Sequence, residues 1–195
     1  MSQSTTRPTS RRRRPARRTT WRWVGFGAPV LFLAVLVALS AMNEPVDEEL
    51  GVAPEFELIT TTGTPVSLDD ALTTGDTLLY FSMGVGCDGC FAQIPEIEAT
   101  VAQRGLTLLP IMVDPAAFVA AEAARFGIET PILLDPGARV SSSYGMVGVY
   151  GHADRPSHSF ALVRQDGSIG WVRHYAEMFV PADALFDELD QAVGA

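Results

Sequence analysis

Hydrophobic residues are distributed unevenly along this chain, and the longest uncharged run lies near the N-terminus. Residues 24–42 contain no charged side chain. At about 1.5 Å per residue, a helix of that length spans roughly 28 Å, close to the hydrocarbon thickness of a bilayer. The pattern therefore predicts one transmembrane signal-anchor helix. A cleaved signal peptide is the alternative, because Ala38, Ser40 and Ala41 are small residues suited to a signal peptidase.

The segments on either side of this run predict its orientation. Residues 1–23 carry eight Arg and no acidic residue, which predicts a disordered tail on the cytoplasmic side of the cell membrane. Trp21 and Trp23 are placed to lie at the interface. Residues 43–53 are acidic and contain Pro and Gly, which indicates a linker. Residues 54–195 are thus expected to form an extracytoplasmic domain of a single-pass protein.

Within that domain, β-type and helical patterns alternate. Residues 78–82 form a short, wholly apolar run, which is typical of a central strand covered on both faces. Strands that alternate with helices and then close with an antiparallel pair predict an α/β domain with a mixed central sheet. The predicted order is a hairpin over 54–68, a helical turn over 69–72, a strand over 78–82, a helix over 91–104, a strand over 106–113, a helix over 116–126, a strand over 130–134, a short helix over 140–144, a loop over 146–156, a hairpin over 159–174 and a helix over 181–193.

Charge narrows the functions open to the domain. The whole chain has a net charge of −9, but its Arg residues are concentrated in the tail. From residue 43 onward six Arg stand against 23 acidic residues, a formal charge of −17. A surface this acidic argues against nucleic-acid binding by the domain.

The two cysteines of the chain, Cys87 and Cys90, carry the candidate chemistry. They follow the predicted central strand and precede a predicted helix, whose N-terminal dipole and unpaired N–H groups favour a thiolate. Cys87 is predicted to be the nucleophile and Cys90 a more buried resolving thiol, although a structural disulfide is the plainer alternative. Asp88 opposes thiolate formation, which favours a reducing or neutral exchanger over an oxidant. Gly89 completes the motif.

Residues 78–95 (LLYFSMGVGCDGCFAQIP) resemble the active-site region of the TlpA/ResA/CcmG-like thiol-disulfide oxidoreductases of the redoxin superfamily. Pro95 matches the proline that kinks the helix in that family. Residues 54–68 resemble the family's N-terminal hairpin, and residues 159–167 resemble the strand after its cis-proline loop. The resemblance implies a thioredoxin-like fold, protein thiol or disulfide substrates, an integral-membrane electron donor, and neither a cofactor nor a bound metal.

Several positions depart from the family pattern. Gly86 stands where a Trp usually precedes the first cysteine in the family. Many members carry an acidic residue two positions before the helix-kinking proline, but this chain has Gln93, which cannot act as a base. Ser157 occupies the usual cis-proline position, so Pro156 either fills that role or the loop resembles that of peroxiredoxins. His158 beside this loop is a candidate proton shuttle, but a strand-edge histidine bonded to the backbone is the favoured interpretation. The other two histidines are expected at the surface.

Other functions remain as alternatives. A thiol peroxidase needs a Thr or Ser three residues before its cysteine and a Pro three or four residues earlier, but these positions hold Gly84 and Tyr80 or Phe81. A copper chaperone would use the cysteine pair with His158, since Cu(I) prefers soft ligands. A further hypothesis is a purely structural redoxin domain that serves as a docking module and has no redox activity.

Overall fold

The structure, a computed structural model, describes residues 51–194. The predicted tail, the predicted signal-anchor over 24–42 and most of the predicted linker lie outside the described residues. Among residues 51–194, none of the helices has the length and apolar character needed to cross a bilayer.

The described residues form seven strands, five α-helices and one short 3-10 helix. The strands are β1 (Glu57–Thr60), β2 (Pro65–Ser67), β3 (Thr77–Phe81), β4 (Thr107–Met112), β5 (Leu133–Leu134), β6 (His158–Val163) and β7 (Ile169–Tyr175). The helices are α1 (Leu68–Leu72), α2 (Asp88–Gln103), α3 (Ala116–Phe126), α4 (Arg139–Ser143) and α5 (Ala182–Val193), and the 3-10 helix is Val149–Gly151.

All seven strands form one mixed sheet in the order β2-β1-β5-β4-β3-β6-β7. The strands β3, β4 and β5 run parallel, as expected where helices connect them. Antiparallel β1–β2 and β6–β7 hairpins close the two edges. The predicted mixed α/β architecture and both predicted hairpins are confirmed.

The central strand β3 is buried along its whole length, which explains its unbroken apolar sequence. Its side chains alternate between two core clusters, one on each face of the sheet. Leu78 and Tyr80 belong to the cluster that includes residues of α2 and α5. Leu79 and Phe81 belong to the other, which includes residues of α1. The end of β3 is thereby fixed, and the cysteine motif follows it.

Three predicted boundaries are corrected. The helix predicted from residue 91 begins at Asp88, because Cys87 caps it and the capping turn has no apolar periodicity. The strand predicted over 130–134 contains only Leu133–Leu134, where it pairs with β4 and β1. The predicted loop over 146–156 includes the 3-10 helix and a bridge between Val147 and Pro156.

Candidate functional site

Cys87 and Cys90 form a disulfide in the first turn of α2, with their Cα atoms 5.3 Å apart. The two sulfur-bearing residues differ in access. Cys87 is 7% exposed, whereas Cys90 is fully buried. Both residues are thus largely buried, and Cys87 is the more exposed of the two.

The backbone around Cys87 favours negative charge on its sulfur. Cys87 is the N-cap residue of α2, and the backbone N–H of Cys90 donates to its Sγ at 3.2 Å. Once the disulfide is reduced, that donor and the positive end of the helix dipole stabilise a Cys87 thiolate. The thiolate is the species that attacks a disulfide.

An ion pair that the sequence did not reveal holds the loop before Cys87. Asp114 follows β4, is nearly buried, and pairs through both oxygens with Arg155 at 2.9 Å. Its Oδ2 also accepts from the Val85 N–H at 2.8 Å, while Arg155 donates to the Met83 carbonyl at 2.8 Å. Two bonds between the side chains and two from them to the loop backbone therefore hold the chain that leads into the motif.

Two glycines in this loop meet conformational and spatial requirements. Gly84 has φ +79°, and a Cβ there would collide with the Asp114 carboxylate. Gly86 has φ +97°, a region that side-chain-bearing residues rarely adopt. A side-chain-bearing residue at position 86 would therefore be strained in this backbone conformation.

Asp88 does not stand alone beside Cys87. Arg125, from the last turn of α3, pairs with Asp88 and also with Glu122. Hydrogen bonding and charge from Arg125 hold the pKa of the Asp88 carboxyl below its usual value. The expected repulsion between Asp88 and a Cys87 thiolate is therefore partly offset by a cation that lies 37 residues away in sequence.

We expect Arg125→Gln to raise the pKa of the Cys87 thiol and to make the reduction potential of the pair more negative, because Asp88 loses its counter-charge. The shift is modest, since both groups are exposed and screened. Thiolate absorbance as a function of pH, and equilibration with glutathione buffers, measure the two quantities. Arg125→Gln combined with Asp88→Asn is expected to reverse the direction, and an unchanged pair of values in the single variant would contradict the role given to Arg125.

The segment between β7 and α5 covers the other side of the motif. Met178 Sδ lies 4.0 Å from Cys90 Sγ. A Cβ on Gly89 would lie 2.7 Å from the Met178 carbonyl oxygen, so only glycine permits this approach. Packing against the Met178 backbone therefore explains why Gly89 is the second of the two residues between the cysteines.

Gly89→Ala is expected to destabilise the fold by about 1–3 kcal/mol, since the added methyl overpacks against backbone. The direction of the change in the free energy of unfolding tests the close contact, because Gly→Ala within a helix ordinarily stabilises by roughly 0.5–1 kcal/mol. Urea unfolding of the oxidised protein measures the difference. A stabilised Gly89→Ala variant would show that the segment moves away without cost.

Gln93 fixes that covering segment to α2. It is fully buried, its Nε2 donates to the Val180 carbonyl at 2.9 Å, and its Oε1 accepts from the Val180 N–H at 2.7 Å. The amide satisfies one donor and one acceptor of the same backbone residue. The Gln93 side chain therefore has a structural role, and Pro95 lies exposed two residues further along the same helix.

His158 lies behind the motif at the start of β6 and is fully buried. Its Nδ1 is 3.2 Å from the Tyr80 hydroxyl, which donates to the Cys90 carbonyl at 3.0 Å. Burial lowers the pKa of His158 to about 4, so the imidazole is neutral at physiological pH. The expected backbone bond is thus replaced by a tyrosine contact. His174, expected at the surface, is nearly buried, with its Nδ1 2.8 Å from the Ser159 hydroxyl.

The predicted substrate loop is also buried. Pro156 follows a trans peptide bond, as does every described residue. Ser157 is buried, its N–H donates to the Met146 carbonyl at 3.0 Å, and its hydroxyl lies 2.8 Å from that of Ser159. Neither residue has the cis geometry that the family resemblance implied for this loop.

Sequence reasoning missed Met178, Asp114, Arg155 and Arg125 as neighbours of the motif. Each comes from a distant segment, and none belongs to a local motif. Among residues 51–194, no three His, Cys, Asp or Glu side chains are grouped so as to hold a metal ion.

Residues 49–178, two thirds of the chain, match the Redoxin family. The chain belongs to this family. The predicted redoxin-superfamily membership is therefore confirmed. Among curated proteins, no sequence match to this redoxin was found.

Solved structures share the fold of this redoxin at low sequence identity. The peroxidoxin BcpB of Mycobacterium tuberculosis is 22% identical with a TM-score of 0.61, covering 77% of this chain and 97% of that one. A putative protein disulfide isomerase of Bacteroides thetaiotaomicron is 22% identical with a TM-score of 0.57, covering 75% and 88%. The thioredoxin domain of a thiol-disulfide oxidoreductase of Bacteroides vulgatus is 21% identical with a TM-score of 0.57, covering 75% and 98%. These similarities confirm the thioredoxin-like fold of this redoxin.

Proposed function

We propose that this redoxin is a thiol-disulfide oxidoreductase that reduces or exchanges disulfides of secreted or membrane client proteins. The observation that carries the proposal is the Cys87–Cys90 disulfide, placed at a helix N-terminus, where Cys87 is 7% exposed and Cys90 is fully buried. A purely structural disulfide does not need the backbone N–H donor that is directed at the Cys87 sulfur.

The exchange proceeds through two displacements. In the reduced protein the Cys87 thiolate attacks one sulfur of a client disulfide, which forms a mixed disulfide and releases the other client sulfur as a thiolate. Cys90 then loses its proton and attacks Cys87 Sγ, which re-forms the Cys87–Cys90 bond and releases the second client thiolate. Two electrons pass to the client, and an external dithiol donor restores the reduced pair.

We further propose that residues 24–42 tether the protein to the cell membrane with residues 54–195 outside. The uncharged run and the Arg-rich segment before it support this orientation. The donor would then be an integral-membrane protein that carries electrons across the bilayer. A membrane-impermeant maleimide applied to intact cells after mild reduction tests the location, since it labels Cys87 only if the domain faces outward.

Peroxide reduction is the second candidate, because the fold resembles that of a peroxidoxin as closely as that of a disulfide isomerase. The position of the peroxidatic Thr or Ser is Gly84, and a side chain there would strike the Asp114 carboxylate. This observation favours exchange over peroxide reduction.

The deciding experiment compares two substrates at equal concentration of the reduced full chain. We expect rapid reduction of a protein disulfide such as that of insulin, and peroxide consumption no faster than that of a free dithiol. Rapid peroxide consumption with slow insulin reduction would reverse the assignment. No reaction with either substrate would favour the redox-inactive docking module.

A further inference from the structure

Three large aromatic side chains are exposed in the part of the chain that the structure describes. Phe118 is 61% exposed, and Tyr150 and Phe179 are each 39% exposed. Every other Phe, Tyr or Trp of residues 51–194 is buried or half-buried. A single exposed apolar side chain is ordinary on a protein surface, but several that border one site indicate an interaction surface.

Phe118 belongs to a helix that runs beside the cysteine motif, because the chain at both ends of α3 is bonded to that motif. Just before α3, Asp114 accepts from the Val85 N–H at 2.8 Å, two residues before the first cysteine. In the last turn of α3, Arg125 pairs with Asp88, which lies between the two cysteines. The whole length of α3 is therefore next to the reactive pair.

The other two aromatic residues belong to segments that also contact the motif. Tyr150 lies in the same loop as Arg155, which donates to the Met83 carbonyl at 2.8 Å just before the cysteines. Phe179 follows the residue whose carbonyl packs against Gly89. Because β4 and β7 lie on opposite sides of β3 in the sheet, α3 and the segment between β7 and α5 reach the motif from opposite sides.

The surface around Phe118 is uncharged, in contrast to the rest of the domain. Residues 115–121 contain only Pro, Ala, Phe and Val, and all of them except Val119 are exposed. From residue 43 onward, by comparison, the chain carries 23 acidic residues. A helix that is apolar on all sides usually has a partner on each side. The exposed face of α3 thus has the character of a contact surface placed next to the cysteines.

The limited exposure of Cys87 makes such a contact part of the reaction. Cys87 is only 7% exposed, so the residues that flank a client cysteine must press against the surrounding surface when the two sulfurs meet. We propose that Phe118, Tyr150 and Phe179 form a docking surface for an extended client segment in which uncharged, apolar residues flank the reactive cysteine. Aromatic side chains are frequent anchors in protein interfaces. This inference rests on the proposed exchange function and names the class of its substrate.

The docking surface is tested with the reduced full chain, without free detergent, and two synthetic peptides that each contain one intramolecular disulfide. One peptide has Leu on both sides of each cysteine, and the other has Ser. Wild-type protein is expected to reduce the Leu peptide with a kcat/KM at least about tenfold higher. Phe118→Ala and Phe179→Ala are each expected to raise KM for the Leu peptide about fivefold or more and to leave kcat within about twofold, since they remove binding rather than chemistry.

Two controls separate docking from folding and from chemistry. Ile59→Ala is the matched control variant, because Ile59 is 54% exposed but lies on β1, in the hairpin at one edge of the sheet. It is expected to leave KM for the Leu peptide unchanged. Bis(hydroxyethyl) disulfide is the control substrate, because it has no flanking residues, and all variants are expected to reduce it at the wild-type rate.

Equal kcat/KM values for the two peptides in wild type, or an unchanged KM in both aromatic variants, would overturn the docking surface. An equal rise of KM in Ile59→Ala would also overturn it. A wild-type dimer in sedimentation that Phe118→Ala dissociates, with KM unchanged, would assign this face to a second copy of the chain instead. Reduction of bis(hydroxyethyl) disulfide without discrimination between the peptides would overturn only the docking surface. Reduction of none of the three substrates would overturn the exchange function together with it.

Discussion

Cys87→Ser is expected to lower the rate of client disulfide reduction to that measured without the protein, whereas Cys90→Ser retains the first displacement. The reason is the placement of the two sulfurs. Cys87 is the N-cap residue, is 7% exposed and has an N–H directed at its sulfur, whereas Cys90 is fully buried. A hydroxyl at position 87 is not ionised at physiological pH and is a far weaker nucleophile. With Cys90 replaced, the first displacement proceeds and the mixed disulfide cannot be resolved.

The measurement is an insulin turbidity assay together with non-reducing gels of the reaction mixture. Cys90→Ser is expected to accumulate a mixed disulfide with the client, which dithiothreitol reduces. Cys87→Ser is expected to form no such adduct. Ser143→Ala, at an exposed position in α4, serves as a control that keeps both sulfurs. An adduct formed by Cys87→Ser through Cys90 would mean that the nucleophile and the resolving thiol have been assigned in the wrong order.

The sequence was sufficient for the elements whose signals are local. The apolar run of β3, the Ala-rich α3 over Ala116–Phe126 and both edge hairpins follow from period, turn residues and length. The site of the cysteine pair followed from one further rule, that a strand which ends before a helix presents its following residues at the sheet edge.

What surrounds the pair was outside the reach of local patterns. Asp114 and Arg155 are 41 residues apart, and Met178 lies 88 residues after Cys90. Only the sheet order brings these segments to one place, since β3 pairs with β4 on one side and β6 on the other. The electrostatic environment of Cys87 was the property least predictable from the sequence. The sequence places Asp88 next to Cys87 but does not show that Arg125 pairs with Asp88.

Gln93 bonds the buried backbone of Val180, and a change of this side chain is expected to have a large effect on stability. Gln93→Glu is expected to destabilise the protein by about 2–4 kcal/mol at pH 7. A carboxylate there would accept from the Val180 N–H, but its second oxygen would face the Val180 carbonyl, so two acceptors meet in a buried site. Desolvation and this repulsion both disfavour the charged form, and the pKa of the introduced carboxyl is therefore raised above its unfolded value.

The direction of the pH dependence follows from that raised pKa. The neutral acid can donate its O–H to the Val180 carbonyl and restore both bonds, so the stability it contributes is complete below about pH 4.3, the value for an unfolded Glu. That contribution is lost as the pH rises through the higher pKa of the folded state. Urea unfolding at pH 4 and pH 7, on Gln93→Glu and on wild type, measures the difference.

Gln103→Glu is the matched control, because it makes the same change of charge at the exposed end of the same helix. We expect it to alter the free energy of unfolding by less than about 0.5 kcal/mol at either pH. A Gln93→Glu variant as stable at pH 7 as at pH 4, relative to wild type, would mean that the covering segment yields and lets water reach the carboxylate. Met178 would then also be free to leave Cys90, so this one measurement bears on the rigidity of the segment between β7 and α5.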